Sequence, residues 1–261
     1  MKDMTVTSGF VAKTKKALPH TPLVGQRVPL RLSERHVIRG LSWTAAALIV
    51  VGFWGIYSVT YLPDYFARDL VWSLTYLNGE SNLPALFSVL LMLSVAAVLG
   101  VIALAKTAAL DAYRRVWTGL ALLFVYLGID EGAALHEKLI EPVHSLVKAE
   151  GVLHYAWVVP YGLLALGVLV VCLRFLRHLP RAVAGGMLLS GALYVCGAFG
   201  LELAEGYVHT LMGRQTFVME MLITAEEALE MAGVILFLAT LLRYVRTGLP
   251  DFELRVGLKA E

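Results

Sequence analysis

Charge and thiols are what this chain has least of. Asp, Glu, Lys and Arg make up only 16% of its 261 residues, whereas 58% are hydrophobic and the mean hydropathy is +0.71. A soluble domain usually carries about 25% charged residues, so this balance excludes one, and no nucleic-acid partner is expected. The two cysteines, Cys172 and Cys196, both fall within apolar stretches. That excludes a disulfide stapling an outer loop, and both thiols are expected to be buried packing residues. No apolar run precedes residue 41, where Lys2, Lys13, Lys15 and Lys16 are followed by Pro19, Pro22 and Pro29. A cleavable signal peptide needs such a run soon after its basic start, so this arm is expected to stay cytoplasmic, against anionic lipid. No internal repeat is evident, which weakens any analogy with transporters built from two related halves.

Long apolar sequence is abundant instead. Six stretches, roughly 41–62, 84–105, 116–137, 154–176, 183–207 and 218–243, each reach the length of about 20 residues that crosses a hydrocarbon core. The expected fold is an all-α, polytopic bundle of six transmembrane helices over 41–246. It lies between a basic arm (1–40) and a tail (247–261). Of the Lys and Arg residues, 18 lie in the arm, the 106–115 and 174–181 turns and the tail. The other three connections hold only Arg68, Lys138, Lys148 and Arg214. By the positive-inside rule both termini are expected in the cytoplasm. The net charge of +2 then hides a strong separation, with a basic inner half and an acidic outer half.

Ten side chains set within or at the ends of these stretches carry the chemistry: Asp130, Glu131, His136, Glu137, Glu202, Glu205, His209, Glu226, Glu227 and Glu230. Threaded through a bilayer, all ten fall towards the outer face. A charge at the bilayer centre costs about 2.5–3.5 kcal/mol on insertion scales, so the group demands protonation, a wet cavity or a bound cation. In the fifth span Glu202, Glu205 and His209 fall within an arc of about 60° on one helical face. In the sixth, Glu226 and Glu230 are a turn apart with Glu227 beside them, and Glu230 reaches about 18 Å into the membrane at 1.5 Å per residue. In the third, Asp130 and Glu137, two turns apart, share a face, with His136 about 120° away. Either Asp130 and Glu137, or Glu131, would line the cavity, and His136 would cap it or pack against a neighbouring helix.

Carboxylates with one or two imidazoles from facing helices suit a divalent transition metal, namely iron, manganese or zinc. The ligands expected first are Glu202, Glu205, His209, Glu227 and Glu230. Glu226, His136 and Glu137 are further candidates, and Asp130 or Glu131 would bridge or act as general base. The Glu-x-x-His spacing of di-iron bundles is absent, since Glu205 and His209 are one residue too far apart. His136-Glu137-Lys138-Leu139-Ile140 begins like His-Glu-x-x-His but ends on Ile140. Taken singly, His136, Glu137 and His209 read as ordinary interfacial residues, and shared protons with buried water are the competing account of the cluster. Three acids within five residues of the sixth span are harder to dismiss.

The inner halves of the spans carry Ser42, Thr44, Ser94, Thr118, Ser190 and Thr240 but no ionisable residue away from the interface except Arg174 near an end. An ion carrier usually offers polar steps on both sides. The pattern therefore favours an enzyme acting on a lipid or other apolar molecule over a proton-coupled or divalent-cation transporter, with a sensory or assembly subunit as a third possibility. Segments 63–83 and 139–153, the latter with a helix start at Glu141-Pro142, could roof the acidic cavity, although aromatic-belt anchoring explains their apolar residues equally well. His144 and His154 lie nearby. Small residues from Gly185 to Gly200 in the fifth span are expected to admit a close helix neighbour.

The segments from Ile129 to Glu137 (IDEGAALHE) and from Ala225 to Gly233 (AEEALEMAG) resemble those of uncharacterised bacterial multi-pass membrane proteins. The resemblance covers the membrane region and implies a bacterial inner-membrane location without an assigned activity. Neither the His boxes of membrane desaturases nor the Ser and multiple-His pattern of ceramidase-like hydrolases is present.

Overall fold

Two of the long helices begin at side chains that occupy orphan backbone N–H groups. A computed structural model describes residues 33–147 and 151–249. In it Asn82 accepts the N–H of Ala85 at 3.1 Å and donates its amide to the Tyr76 carbonyl at 2.7 Å. Thr216 likewise accepts the N–H of Met219 at 3.2 Å. Both are N-caps that satisfy donors the helix itself cannot.

The helices are α1 (Glu34–Tyr61), α2 (Arg68–Thr75), α3 (Leu83–Ala108), α4 (Arg114–Ala133), α5 (Ile140–Val147), α6 (Val158–His178), α7 (Arg181–Val195), α8 (Glu202–Met212) and α9 (Phe217–Gly248). A π-helical turn, Cys196–Leu201, joins α7 to α8. No strand occurs among the described residues. Six helices are long and apolar enough to cross a membrane: α1, α3, α4, α6, the continuous α7–α8 unit and α9. The fold is thus the all-α helix bundle expected, with large apolar side chains such as Trp43, Leu122, Leu163 and Val171 facing outwards, each more than 60% exposed. Hydrocarbon is the solvent in which such a surface is stable.

Ends differ from the apolar stretches in places. α1 starts seven residues earlier than residue 41, and α9 runs on to Gly248. The rest of the basic arm, 1–32, and of the tail, 250–261, lies outside the described residues. Arg246 on α9 pairs with Glu34 on α1 at 3.4 Å, which places the beginning of the first span beside the end of the last. Cys172 is buried, but Cys196, the first residue of the π turn, is exposed rather than buried.

Two helix pairs form most of the bundle. α3 packs along α4, and α7 along α9. The second pair is close because Gly233 has no side chain: a Cβ there would lie 2.9 Å from the Ser190 carbonyl and 2.8 Å from the Tyr194 nitrogen. Such small-residue contacts let dispersion act between backbones where lipid removes the hydrophobic drive between helices. At the basic end Trp117 stacks on Tyr244 at 5.2 Å and meets Phe175 edge-on at 4.9 Å.

Candidate metal centre

At the opposite, acidic end, Glu202, Glu205 and Glu226 converge. One carboxylate oxygen from each lies within 4.8 Å of the other two. Glu205 is 2% exposed, Glu226 9%, and Glu202 is half-buried. One oxygen of Glu205, Oε1, is buried with no hydrogen-bond partner. Two anions 4.8 Å apart repel by about 3.5 kcal/mol at an effective dielectric constant of about 20. Such a trio requires a cation, shared protons or both.

Local sequence explains the convergence. The three-residue step from Glu202 to Glu205 places both on one turn of α8. The preceding π turn inserts an extra residue and rephases everything after it, a device common at functional sites. Glu226 arrives from α9, whose backbone approaches that turn at Gly197. A Cβ on Gly197 would come within 3.0 Å of the Glu226 carbonyl and 3.1 Å of the Glu230 Cγ. Trp157, just before α6, donates its indole N–H to Glu202 Oε1 at 3.1 Å and so orients that carboxylate.

Asp130 is engaged elsewhere. α4 stops at Ala133, and Ala134 takes a left-handed conformation (φ 47°, ψ 50°), unusual for a residue other than glycine or asparagine. Helical extrapolation to residue 137 therefore fails, and the chain folds His136 back onto Asp130. The His136 backbone N–H donates to Asp130 Oδ1 at 2.9 Å, and its Nδ1 lies 3.2 Å from Oδ2. Tyr161 of α6 donates to the same Oδ1 at 2.8 Å, and Tyr126 of α4 lies 2.6 Å from the Tyr161 hydroxyl. Lys138 closes the turn by donating to the Ala133 and Ala134 carbonyls, where a cation complements the helix C-terminus. Burial works against charge on His136, but the bond to Asp130 and the nearby carboxylates outweigh it and raise its pKa. The His136 ring packs 4.7 Å from Trp157, one indole away from Glu202.

His209 is not in the carboxylate trio. Its ring stacks on His154 at 4.0 Å, and His144 donates Nε2–H to the His154 carbonyl at 2.6 Å. Burial, then the neighbouring His209 and His144, lower the pKa of His154. This histidine cap sits one turn beyond Glu205. Glu131, Glu227 and Glu230 are half-buried and lie outside the trio, and Glu137 is exposed. Glu137 acts instead on Glu80, whose pKa is raised by burial first and by the charge of Glu137 second.

Of the ten residues expected from sequence, the structure therefore unites Glu202, Glu205 and Glu226 in one cluster and Asp130 with His136 in another. Trp157, Tyr161 and Tyr126 were not anticipated. Their spacing hints at a role only in retrospect, because Trp157 and Tyr161 are one helical turn apart at the start of a span, where aromatic-belt anchoring is the ordinary reading.

A family described as a domain of unknown function (DUF8692) matches residues 41–245, and the chain belongs to that family. No curated protein and no solved structure matches it.

Proposed function

Because the family carries no assigned activity, we propose from the site itself that Glu202, Glu205 and Glu226 bind a divalent transition metal, iron, manganese or zinc. The bound ion would support chemistry on a lipid or other apolar molecule within the membrane. The observation that carries this reading is the convergence of three carboxylates on a point where a buried oxygen of Glu205 has no protein partner. All three donors are hard oxygens on facing helices, a set that suits these ions better than soft ones. An ion held by these three carboxylates would supply Lewis-acid chemistry, polarisation of a substrate oxygen or activation of water.

The chain's own residues supply the rest. Trp157 fixes the Glu202 carboxylate, as outer-shell hydrogen bonds commonly do for ligands. Asp130 holds His136 with Nδ1 engaged, which leaves Nε2 to accept or deliver a proton. In this reading His136 is the general base, and Asp130 positions it rather than bridging metal. The acidic end faces outwards and both termini lie in the cytoplasm of a bacterial inner membrane, in keeping with the distribution of Lys and Arg.

Elemental analysis of protein purified without chelator tests the reading. About one equivalent of a transition metal, lost in Glu205→Gln, is expected; less than about a tenth of an equivalent would remove it. Metal uptake into proteoliposomes, lost in the same variant, would instead favour a divalent-cation transporter.

A further inference from the structure

Tyr126 lies on the outward stripe of α4 with Leu122, Val125 and Ile129, which are 64%, 38% and 54% exposed. Tyr126 is itself 38% exposed, a phenol on an otherwise apolar, lipid-facing surface. Its hydroxyl lies 2.6 Å from that of Tyr161. A tyrosine has a single proton to donate, and Tyr161 gives its proton to Asp130 Oδ1 at 2.8 Å. Oδ1 also receives the His136 backbone N–H, so it acts as an acceptor. The direction of the chain follows: Tyr126 donates to Tyr161, which donates to Asp130. The Tyr126 oxygen is left as an acceptor only, and it has no other partner among the described residues.

An acceptor facing hydrocarbon has no water to turn to and is open only to a donor carried by a lipid-dissolved molecule. We infer that Tyr126 docks the hydroxyl group of a lipid-dissolved amphiphile, an alcohol or phenol on an apolar body, on the lipid-facing side of the contact between α4 and α6. α6 brings its backbone close to the bundle chiefly through α7, and the contact between α4 and α6 here is made by side chains, the Tyr126–Tyr161 pair. Behind Tyr161 stands Trp157, ring centroids 5.3 Å apart, whose indole touches Glu202 at 3.1 Å. A hydroxyl held at Tyr126 is thus two aromatic side chains from the carboxylate trio. The inference names the substrate class of the proposed metal site and rests on that reading for its purpose, but binding itself requires no metal.

The experiment uses the full chain in nanodiscs and a diazirine-tagged hexadecanol, compared with the same probe as its methyl ether. Photolabelling of α4 or α6 by the alcohol is expected, with about tenfold less from the ether and about tenfold less from the alcohol on Tyr126→Phe, the scale of one lost hydrogen bond. Equal labelling by alcohol and ether overturns the inference. So does undiminished labelling of Tyr126→Phe. Should that variant fail to fold, the alcohol and ether on the unchanged protein decide alone. Competition by decylhydroquinone points to a phenolic source and competition by dioleoylglycerol to a glyceride; competition by neither overturns the proposal. Glu205→Gln, measured alongside, keeps its labelling while losing metal, so failure at Tyr126 is distinguishable from failure at the metal centre.

Discussion

Trp157 and Glu202 are joined by an indole N–H to carboxylate bond of 3.1 Å, and the same indole packs 4.7 Å from the His136 ring. The tryptophan therefore couples the carboxylate trio to the Asp130–His136 pair. Replacing it by phenylalanine keeps the ring packing but removes the donor. Outer-shell partners of metal ligands are worth about 10–100-fold in affinity, so Trp157→Phe is expected to weaken metal binding at least tenfold while the melting temperature moves little. Titration with zinc or manganese in detergent measures the affinity, and thermal melting of the same samples the stability. Unchanged affinity would mean that Glu202 needs no positioning.

Gly197 gives a test of helix approach. A methyl group there would lie 3.0 Å from the Glu226 carbonyl and 3.1 Å from the Glu230 side chain, tighter than van der Waals contact allows. Overpacking of this kind costs about 1–3 kcal/mol, and here the strain falls on the backbone that carries Glu226. Gly197→Ala should lower thermal stability and reduce metal content together. Gly191→Ala is the control, because nothing lies within 4 Å of its added methyl; its stability and metal content should stay near those of the unchanged protein.

Much of the bundle was legible because hydrophobic length is a strong signal: six apolar stretches gave six spans. Where a span ends was less so. His136 and Glu137 continue the apolar pattern of α4 in sequence, yet Ala134 breaks the helix in a conformation that alanine seldom adopts and that composition does not announce. The pairing of Glu202 with Glu205 could be read from helical spacing alone. Choosing Glu226 over Glu227 and Glu230 could not, since the rotation of α9 is set by close contacts at Gly233 and Gly197, on different helices. The partner of His209 was equally hidden, because His154 reaches it from a separate connection. Trp157, Tyr161 and Tyr126 look like membrane-belt aromatics until their hydrogen bonds are traced.

His136 predicts a pH dependence. Its pKa is raised above the usual value of about 6.5: burial opposes charge, but the bond to Asp130 and the surrounding carboxylates favour it more strongly. The imidazolium is therefore better stabilised in the folded state than in the unfolded one. That contribution is fully present below the unfolded pKa and is lost as pH rises through the folded value. Between about pH 6 and 8 the melting temperature should fall more for the unchanged protein than for His136→Gln. Parallel curves for the two proteins would show that the pair contributes nothing to stability through this titration.

Glu205 separates a metal site from a structural hydrogen-bond network, because the two give opposite signs. Without metal, three carboxylates with oxygens within 4.8 Å repel one another, and Glu205→Gln removes one potential charge at nearly constant shape. The stripped variant should then be more stable than the stripped unchanged protein, the usual exchange of stability against function at a binding site. With metal the order reverses. An ion at 100 times its Kd stabilises the folded state by about 2.7 kcal/mol, and the variant forfeits most of this. Melting curves of both proteins, recorded after chelator and again with added manganese or zinc, contain the whole comparison. If Gln lowers stability in the stripped protein and neither protein responds to metal, the carboxylates act as a hydrogen-bonded brace between α8 and α9.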